Sequence, residues 1–343
     1  MDTFTIKDIA KMCGVGVTTV SRAINNHPDI NEETKAKIMK VIKESHYVPN
    51  NSARNLKRSA SKTIAVLIKG ITNPFFNKML QVFEEETHKH KYSYILQRVD
   101  ENQDEIDVAI ELEKEKRLKG IIFLGGYMTH NKEKLEQLTV PFVLSTIGMT
   151  DKGDQSIYSS VSVDDFKESY KMVDYLCRLG HKKIAIISAS MEDESIGKLR
   201  FMGYKKALED HQISFDNSLV RCMKDEIESY TMENGYVVTK ELLDSGKEFS
   251  AIYAVSDSLA VGACKAILER GKRVPDDYSV AGFDGLDISF YYNPSITTIR
   301  QPVEKIAAET IRILFDLIQK KTTQVHKIFP AELVVRESTK PLR

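Results

Sequence analysis

Four polar side chains near the N-terminus share one side of a predicted helix. At about 100° per residue, the polar stripe holds Thr18, Ser21, Arg22 and Asn25, and the opposite apolar stripe holds Val20, Ala23 and Ile24. A threonine methyl group can contact thymine, an arginine can form two hydrogen bonds with guanine, and Asn25 can reach a base or a phosphate. The stripe favours a helix that reads base edges; the alternative is the solvated face of a small three-helix domain.

The other residues that could do chemistry indicate structural roles. His181 follows Gly180, which has the position of a residue that ends a helix, and it leads into a predicted strand. Gly125 and Gly126 lack the longer glycine pattern of a phosphate-binding loop. The four cysteines, Cys13, Cys177, Cys222 and Cys264, form no C-x-x-C pair, so neither a zinc site nor a disulfide framework is predicted. Since no nucleophile has a matching base, we expect a protein that is not an enzyme and uses no cofactor or metal.

Charge is distributed unevenly along the chain. The 343 residues contain 49 Lys plus Arg and 49 Asp plus Glu, and 42% of them are hydrophobic, which is enough for two or three folded domains. Residues 1–60 hold ten basic and six acidic side chains, a net charge of +4, which leaves the remainder at −4. A basic head on a mildly acidic body is typical of a phosphate-binding module joined to another domain. No apolar run approaches the roughly 20 residues that span a bilayer, so we expect no membrane contact and a cytoplasmic location.

Three short helices must position the polar stripe. Thr5 and Asp8 have the spacing of a capping box at the start of the first helix, which should end at Gly14. The second helix should start near Val17 after a tight turn, and Asn31 should cap a third helix. Two helices joined by a tight turn and packed on a third form a helix-turn-helix unit, whose second helix lies in the major groove.

Three segments carry a resemblance to a known family. The runs at residues 5–11 (TIKDIAK), 17–26 (VTTVSRAINN) and 47–56 (YVPNNSARNL) resemble the headpiece of the lac/gal repressor family of bacterial transcription regulators, and the similarity continues through nearly the whole chain. The resemblance implies a headpiece at residues 1–49 and, at 50–61, a hinge helix that forms when two subunits meet on operator DNA. Leu56 would then be wedged into the minor groove, although by residue type alone it is a lone apolar residue in a linker. The predicted DNA-contacting residues are Thr5, Val17, Thr18, Thr19, Ser21, Arg22, Asn25, Asn51, Arg54, Leu56 and Lys57.

From Thr63 onward, apolar runs alternate with stretches of helical period. This alternation predicts an α/β body of parallel sheets with helices on both faces. The strands fall into two groups, before and after about residue 164, which predicts two doubly wound lobes. The resemblance implies the fold of periplasmic sugar-binding proteins over residues 62–343, with a first lobe at about 62–163 and 293–323 and a second at about 164–292 and 324–343. A ligand cleft is then expected at the carboxyl ends of the strands.

Aromatic and charged residues at predicted strand ends are the main ligand candidates. Phe75 and Phe76 begin a helix after the first core strand, where they suit either a hydrophobic core or the face of a ligand. By resemblance, one of them stacks on the ligand. Arg200 matches a family arginine that enters the cleft, and Asp284 matches a carboxylate that accepts hydrogens from ligand hydroxyl groups. The alternative is that Arg200 and Asp284 only pair with each other.

Four further polar residues are weaker ligand candidates. Asp257 and Asp164 each follow a predicted strand, and we expect each to cap the next helix first and to contact ligand second. Thr146 and Tyr230 are candidates by position alone.

The resemblance predicts a homodimeric regulator of transcription. We expect a repressor of carbohydrate-utilisation genes that binds double-stranded operator DNA and is controlled by a small sugar. The alternatives are a phosphorylated carrier protein or a nucleobase as effector. Glu194 and Ile196 occupy the span in which the purine-sensing branch of the family has polar residues, which makes a purine less favoured. No leucine heptads follow Arg336, so a tetramer is not expected.

Overall fold

The computed structural model describes residues 5–24, 27–45, 62–100, 103–127, 132–148, 156–189 and 194–342. The chain divides into two units, Met1–Ser61 and Lys62–Arg343. Within the described ranges, no helix is long and apolar enough to cross a membrane. The same ranges hold no group of three or more His, Cys, Asp or Glu side chains that could bind a metal ion.

The N-terminal unit contains three helices, α1 (Ile6–Cys13), α2 (Val17–Ile24) and α3 (Glu32–Glu44). The predicted capping box is confirmed, since Asp8 accepts a hydrogen bond from the Thr5 backbone N–H at 2.8 Å and donates its own N–H to the Thr5 hydroxyl. Gly14 ends α1 with a left-handed φ of 69°, which glycine adopts without strain. The fully buried side chains of Ile9, Val20 and Ile38 join the three helices in one small core.

The second unit consists of two lobes, each built on a six-stranded sheet. The first sheet has the order β11-β5-β4-β3-β1-β2 and the second the order β12-β10-β9-β8-β6-β7. The first contains β1 (Thr63–Lys69), β2 (Ser93–Val99), β3 (Gly120–Leu124), β4 (Phe142–Ser145), β5 (Ser159–Val163) and β11 (His326–Phe329). The second contains β6 (Ile184–Ser188), β7 (Val220–Cys222), β8 (Ala251–Ala254), β9 (Ser279–Asp284), β10 (Thr297–Arg300) and β12 (Glu332–Val334). Only β12 among these described strands runs antiparallel to its neighbour.

Helices cover both faces of each sheet. They are α4 (Phe75–Lys89), α5 (Glu105–Lys116), α6 (Lys132–Leu135), α7 (Asp165–Arg178), α8 (Ile196–Asp210), α9 (Met232–Asp244), α10 (Asp257–Glu269), α11 (Asp287–Tyr291) and α12 (Val303–Ile318), with a 3₁₀ turn at Asn217–Leu219. The inner residues of β1 and every residue of β3, β6 and β8 are buried, as expected for parallel strands covered on both faces. The predicted α/β class with two lobes and an all-α N-terminal domain is confirmed.

The predicted division of the last 50 residues between the lobes is wrong in two places. β10 lies within 293–323, which we assigned to the first lobe, yet Thr297 pairs in parallel with Ala281 of β9 in the second sheet. β11 lies within 324–343, which we assigned to the second lobe, yet His326 pairs with Ser160 of β5 in the first sheet. The chain therefore crosses between the lobes after β5, β10 and β11. The short, largely exposed β11 carries little apolar pattern, so its membership of a sheet could not be read from its residues.

Asp257 anchors the loop that follows β9. The prediction that it caps a helix is wrong, because the cap of α10 is Ser256, whose hydroxyl accepts from the Leu259 N–H at 3.3 Å. The buried Asp257 carboxylate instead accepts hydrogen bonds from the Thr298 hydroxyl at 2.6 Å and from the Leu286 N–H at 2.7 Å. Burial, and then the nearby charge of Asp284, raise the pKa of Asp257 to about 8 against these hydrogen bonds.

We expect Asp257 to make the stability of the core fall as pH rises from about 4 to about 8. The pKa is near 3.8 in an unfolded chain and about 8 in the fold, so across this interval the folded state holds a proton that the unfolded chain has released. Stability therefore falls progressively until the pH passes about 8. Thermal unfolding of Asp257→Asn should therefore depend less on pH than that of the wild type between about pH 5 and about pH 8. An unchanged pH slope in the variant would show that another group sets it.

Candidate functional site

A cavity of about 650 Å³ lies between the two lobes of the core. Its first wall comes from residues at or after the ends of β1, β3 and β4, and its second wall from residues at or after the ends of β6, β7, β9 and β10. Parallel strands bring the segments after their carboxyl ends to one edge of each sheet, which is where ligands of such folds bind. The volume is in the range of sites that enclose small organic ligands.

The predicted aromatic pair belongs to the core and to the cavity wall at once. Phe75 and Phe76 both line the cavity, are 5% and 7% exposed, and meet edge to face with ring centroids 5.6 Å apart. Their position is set by Asn73, whose side-chain oxygen accepts from the Phe75 N–H at 3.0 Å, and by Pro74 at the start of α4. A place in the hydrophobic core and a place facing a ligand are therefore compatible for this pair.

Arg200 reaches the cavity from α8 and is held by three polar partners. Its Nε donates to Asp165 Oδ1 at 2.8 Å, and its Nη1 donates to the Val255 carbonyl at 2.6 Å and to Asp284 Oδ1 at 3.4 Å. The guanidinium also stacks on the ring of Phe283, 3.7 Å from its centroid. Burial disfavours its charge, but the two carboxylates outweigh burial and raise the pKa of Arg200. No described residue accepts from Nη2, which leaves that group's N–H bonds for a ligand.

Asp284 supplies the acceptor beside this donor. It ends β9 with a φ of 112°, a left-handed value that costs energy for a residue with a side chain. Its Oδ1 accepts from Arg200 and from Gln301 Nε2, the latter at 2.9 Å. Burial raises the pKa of Asp284 to about 6, and Arg200 opposes the rise. Among described residues no group donates to Oδ2, so Arg200 and Asp284 pair with each other, and each of these two lining residues retains a polar group that no described residue uses.

The four weaker candidates separate into two pairs. Thr146 and Tyr230 line the cavity, and both have left-handed φ values, of 70° and 59°. Asp164 and Asp257 lie outside its lining. The expected capping role of Asp164 is confirmed, since its carboxylate accepts from the Lys167 N–H at 3.0 Å at the start of α7.

The structure adds residues that the sequence analysis missed. Asp165, the neighbour of a predicted candidate, is the partner of Arg200. Lys69 and Tyr127 line the first wall beside the buried Glu105, and Asp225 and Gln301 line the second. Lys69 ends β1 and Gln301 directly follows β10. This position at a strand end was the one signal in the sequence that could have identified them as cavity residues. His181, which we expected to be structural, is buried between the Ser250 hydroxyl and the Lys340 carbonyl.

The helix α2 presents part of the predicted DNA-contacting set to solvent. Thr18 and Arg22 are exposed, Val17 is 41% exposed, and Thr19 and Ser21 are half-buried. Thr5 is exposed at the start of α1. The opposite side of α2 is apolar and buried, as the stripe predicted. The predicted contacts Asn25, Asn51, Arg54, Leu56 and Lys57 lie outside the described residues.

Each of the two units matches a known protein family. Residues 5–50 match the bacterial regulatory proteins of the lacI family, and residues 173–339 match the periplasmic binding protein-like domain. The HTH-type transcriptional regulator MalR of Clostridium butyricum is 43% identical over 335 residues, 97% of this chain and 98% of that protein.

Two solved structures have the same architecture. A LacI family regulator from Enterococcus faecium with bound ribose is 29% identical, with a TM-score of 0.70 over 82% of this chain and 100% of that one. The regulator CelR in complex with cellobiose is 26% identical, with a TM-score of 0.71 over 98% and 99%. The chain therefore belongs to the LacI family of bacterial transcription regulators, with an N-terminal helix-turn-helix DNA-binding domain and a core of the periplasmic-binding-protein type.

Proposed function

We propose that the protein is a homodimeric cytoplasmic repressor of carbohydrate-utilisation genes whose affinity for operator DNA is set by a small sugar in the cleft. The observation that carries this proposal is the joint presentation of Arg200 Nη2 and Asp284 Oδ2 to a cavity lined by Phe75 and Phe76. A sugar combines apolar C–H faces with hydroxyl groups that both donate and accept. Aromatic rings beside a fixed donor and acceptor match both parts of such a ligand.

The exposed face of α2 supports direct reading of operator bases. Thr18 and Arg22 are the exposed polar groups of this face, with the apolar Val17 beside them at the start of the helix. In a helix-turn-helix domain these positions enter the major groove. Leu56 completes the proposal as a minor-groove wedge, with Arg54 and Lys57 on phosphates, on the strength of the family resemblance.

Hydrogen bonds of the cleft reach two of the three crossings between the lobes. Asp165 follows the first crossing, after β5, and binds Arg200. Gln301 begins the second crossing, after β10, and donates both its side-chain and backbone N–H groups to Asp284. A ligand that competes for Arg200 or Asp284 therefore acts on the segments about which the lobes would move. Such a ligand changes the affinity of the protein for DNA by a certain factor, and bound DNA changes the affinity of the protein for the ligand by the same factor.

We expect Arg22→Ala to weaken binding to the specific operator by about 1–3 kcal/mol and to relax the preference at one base pair. The reason is loss of a bidentate contact with guanine. The measurement is equilibrium binding at fixed salt to an operator selected from random DNA with the wild-type protein, and to its single-base variants. Lys43→Ala, an exposed cation on α3, serves as the control and should leave base preference unchanged. Unchanged base preference in Arg22→Ala would remove this residue from the reading surface.

We expect Asp284→Asn to lower the affinity of the protein for the sugar by about 10- to 100-fold, the usual effect of losing a hydrogen bond to a charged group. A thermal-shift screen of mono- and disaccharides, with adenine and guanine as controls, identifies the sugar. Operator binding is then followed by fluorescence anisotropy as that sugar is added. Asp164→Asn is the matched control, because asparagine also caps a helix well and residue 164 is outside the lining.

Two results would contradict this proposal in different ways. A wild-type response to sugar in Asp284→Asn would show that the cleft assignment is wrong. If no saccharide changed operator affinity and a phosphorylated carrier protein did, the cleft would not be the site of control by sugar.

A further inference from the structure

The two cations of the cavity wall are already neutralised. The Lys69 ammonium lies 3.2 Å from Glu105 Oε2, donates to the Gln103 carbonyl at 2.8 Å, and lies over the ring of Tyr127, 3.9 Å from its centroid. The side chains of Lys69 and Glu105 are 9% and 4% exposed. Three partners on different sides hold this ammonium, so it is not available to a charged ligand.

Arg200 is matched by more than one negative charge. Asp165 and Asp284 both contact its guanidinium, at 2.8 Å and 3.4 Å, and all three side chains are buried. One carboxylate is enough to balance the arginine. The second leaves an excess of negative charge on this side of the cavity.

The remaining charges of the wall increase this excess. Glu194 is paired with Lys198 at 2.7 Å. Asp225 lines the cavity, is exposed, and forms no ion pair with any described residue. Around the cavity, the described basic side chains are all paired with carboxylates, and two carboxylates, those of Asp284 and Asp225, remain in excess.

The helix N-termini at the cavity wall have several of their backbone donors already bonded within the described chain. Two helices begin at the cavity wall, and backbone N–H groups at such ends commonly bind phosphate. At α4 the Phe75 N–H is taken by the Asn73 side chain, and the Phe76 N–H by the Asn73 carbonyl. At α8 the Ser195 hydroxyl accepts from the Gly197 N–H, and the Ser195 carbonyl from the Lys198 N–H. These caps occupy several of the backbone donors at the two helix starts.

We propose that the cleft selects uncharged saccharides and rejects their phosphate esters, with Asp225 as the residue that discriminates. This proposal rests on the proposed control by a sugar and specifies which sugars qualify. A phosphate ester would carry its charge toward two unneutralised carboxylates and would find no unpaired cation. An uncharged saccharide carries no charge for these carboxylates to repel and can still use the Arg200 donor and the Asp284 acceptor. Specificity thus comes from a repulsive group as well as from the attractive pair.

The test compares each sugar with its own phosphate ester on the full-length protein. The pairs are ribose with ribose 5-phosphate, glucose with glucose 6-phosphate, and maltose and cellobiose with their 6-phosphates, measured by isothermal titration calorimetry at constant ionic strength. In the pair whose neutral member binds, we expect the ester to bind at least about 100-fold more weakly, the effect of like charges brought together. Asp225→Asn should reduce this ratio about tenfold. Glu226→Gln, the adjacent exposed acid outside the lining, should leave the ratio unchanged.

Each contrary result has its own meaning. An ester that binds as tightly as its parent sugar would overturn the proposal while leaving control by a sugar intact. Equal changes of the ratio in Asp225→Asn and Glu226→Gln would show that overall charge, and not Asp225, discriminates. If no member of any pair bound, the proposed control by these sugars would fail, and this proposal with it.

Discussion

Arg200 and the two carboxylates that hold it are the interaction on which the cleft depends. The guanidinium joins the first residue of α7 to the last residue of β9, and Gln301 extends the connection to the chain crossing after β10. All of these groups are buried. A buried ion pair adds little stability over an apolar contact, but removal of one partner costs about 3–5 kcal/mol because a charge is left without compensation. The network therefore fixes one arrangement of this edge of the second lobe, beside two of the chain crossings.

The same network explains why strained and desolvated groups collect at this edge of the second sheet. Asp284 has a left-handed backbone, and Asp257 holds the next residues by accepting the Leu286 N–H. Their pKa values are raised to about 6 and about 8 because burial disfavours their charges. Strain and buried charge are stable here only because packing and hydrogen bonds around them are extensive. Such a site is suited to a ligand that replaces some of these hydrogen bonds.

The N-terminal domain is stabilised differently, by a small apolar core and by local helix caps. Its core is small, with Ile9, Val20 and Ile38 at its centre, and its helices rely on local caps such as the Thr5–Asp8 box. One side of α2 is used for packing, and the other side remains exposed. A few polar groups on one short helix give limited affinity, which is in keeping with the proposal that two such domains bind the operator together.

Local pattern was enough to determine the three N-terminal helices and their caps, the α/β class of the body and the two lobes, because these features depend on neighbours a few residues apart. The placement of Phe75, Arg200 and Asp284 at a cleft, and their roles there, came from the family resemblance. Only the tertiary structure decided which charges meet. Lys69 is neutralised by a residue 36 positions away, and Arg200 by residues 35 and 84 positions away. The sheets to which β10 and β11 belong, the anchoring role of Asp257, and the lack of an ion-pair partner for Asp225 among the described residues were decided in the same way. Strand pairing and ion pairing depend on how distant segments pack, and they leave no mark on local periodicity.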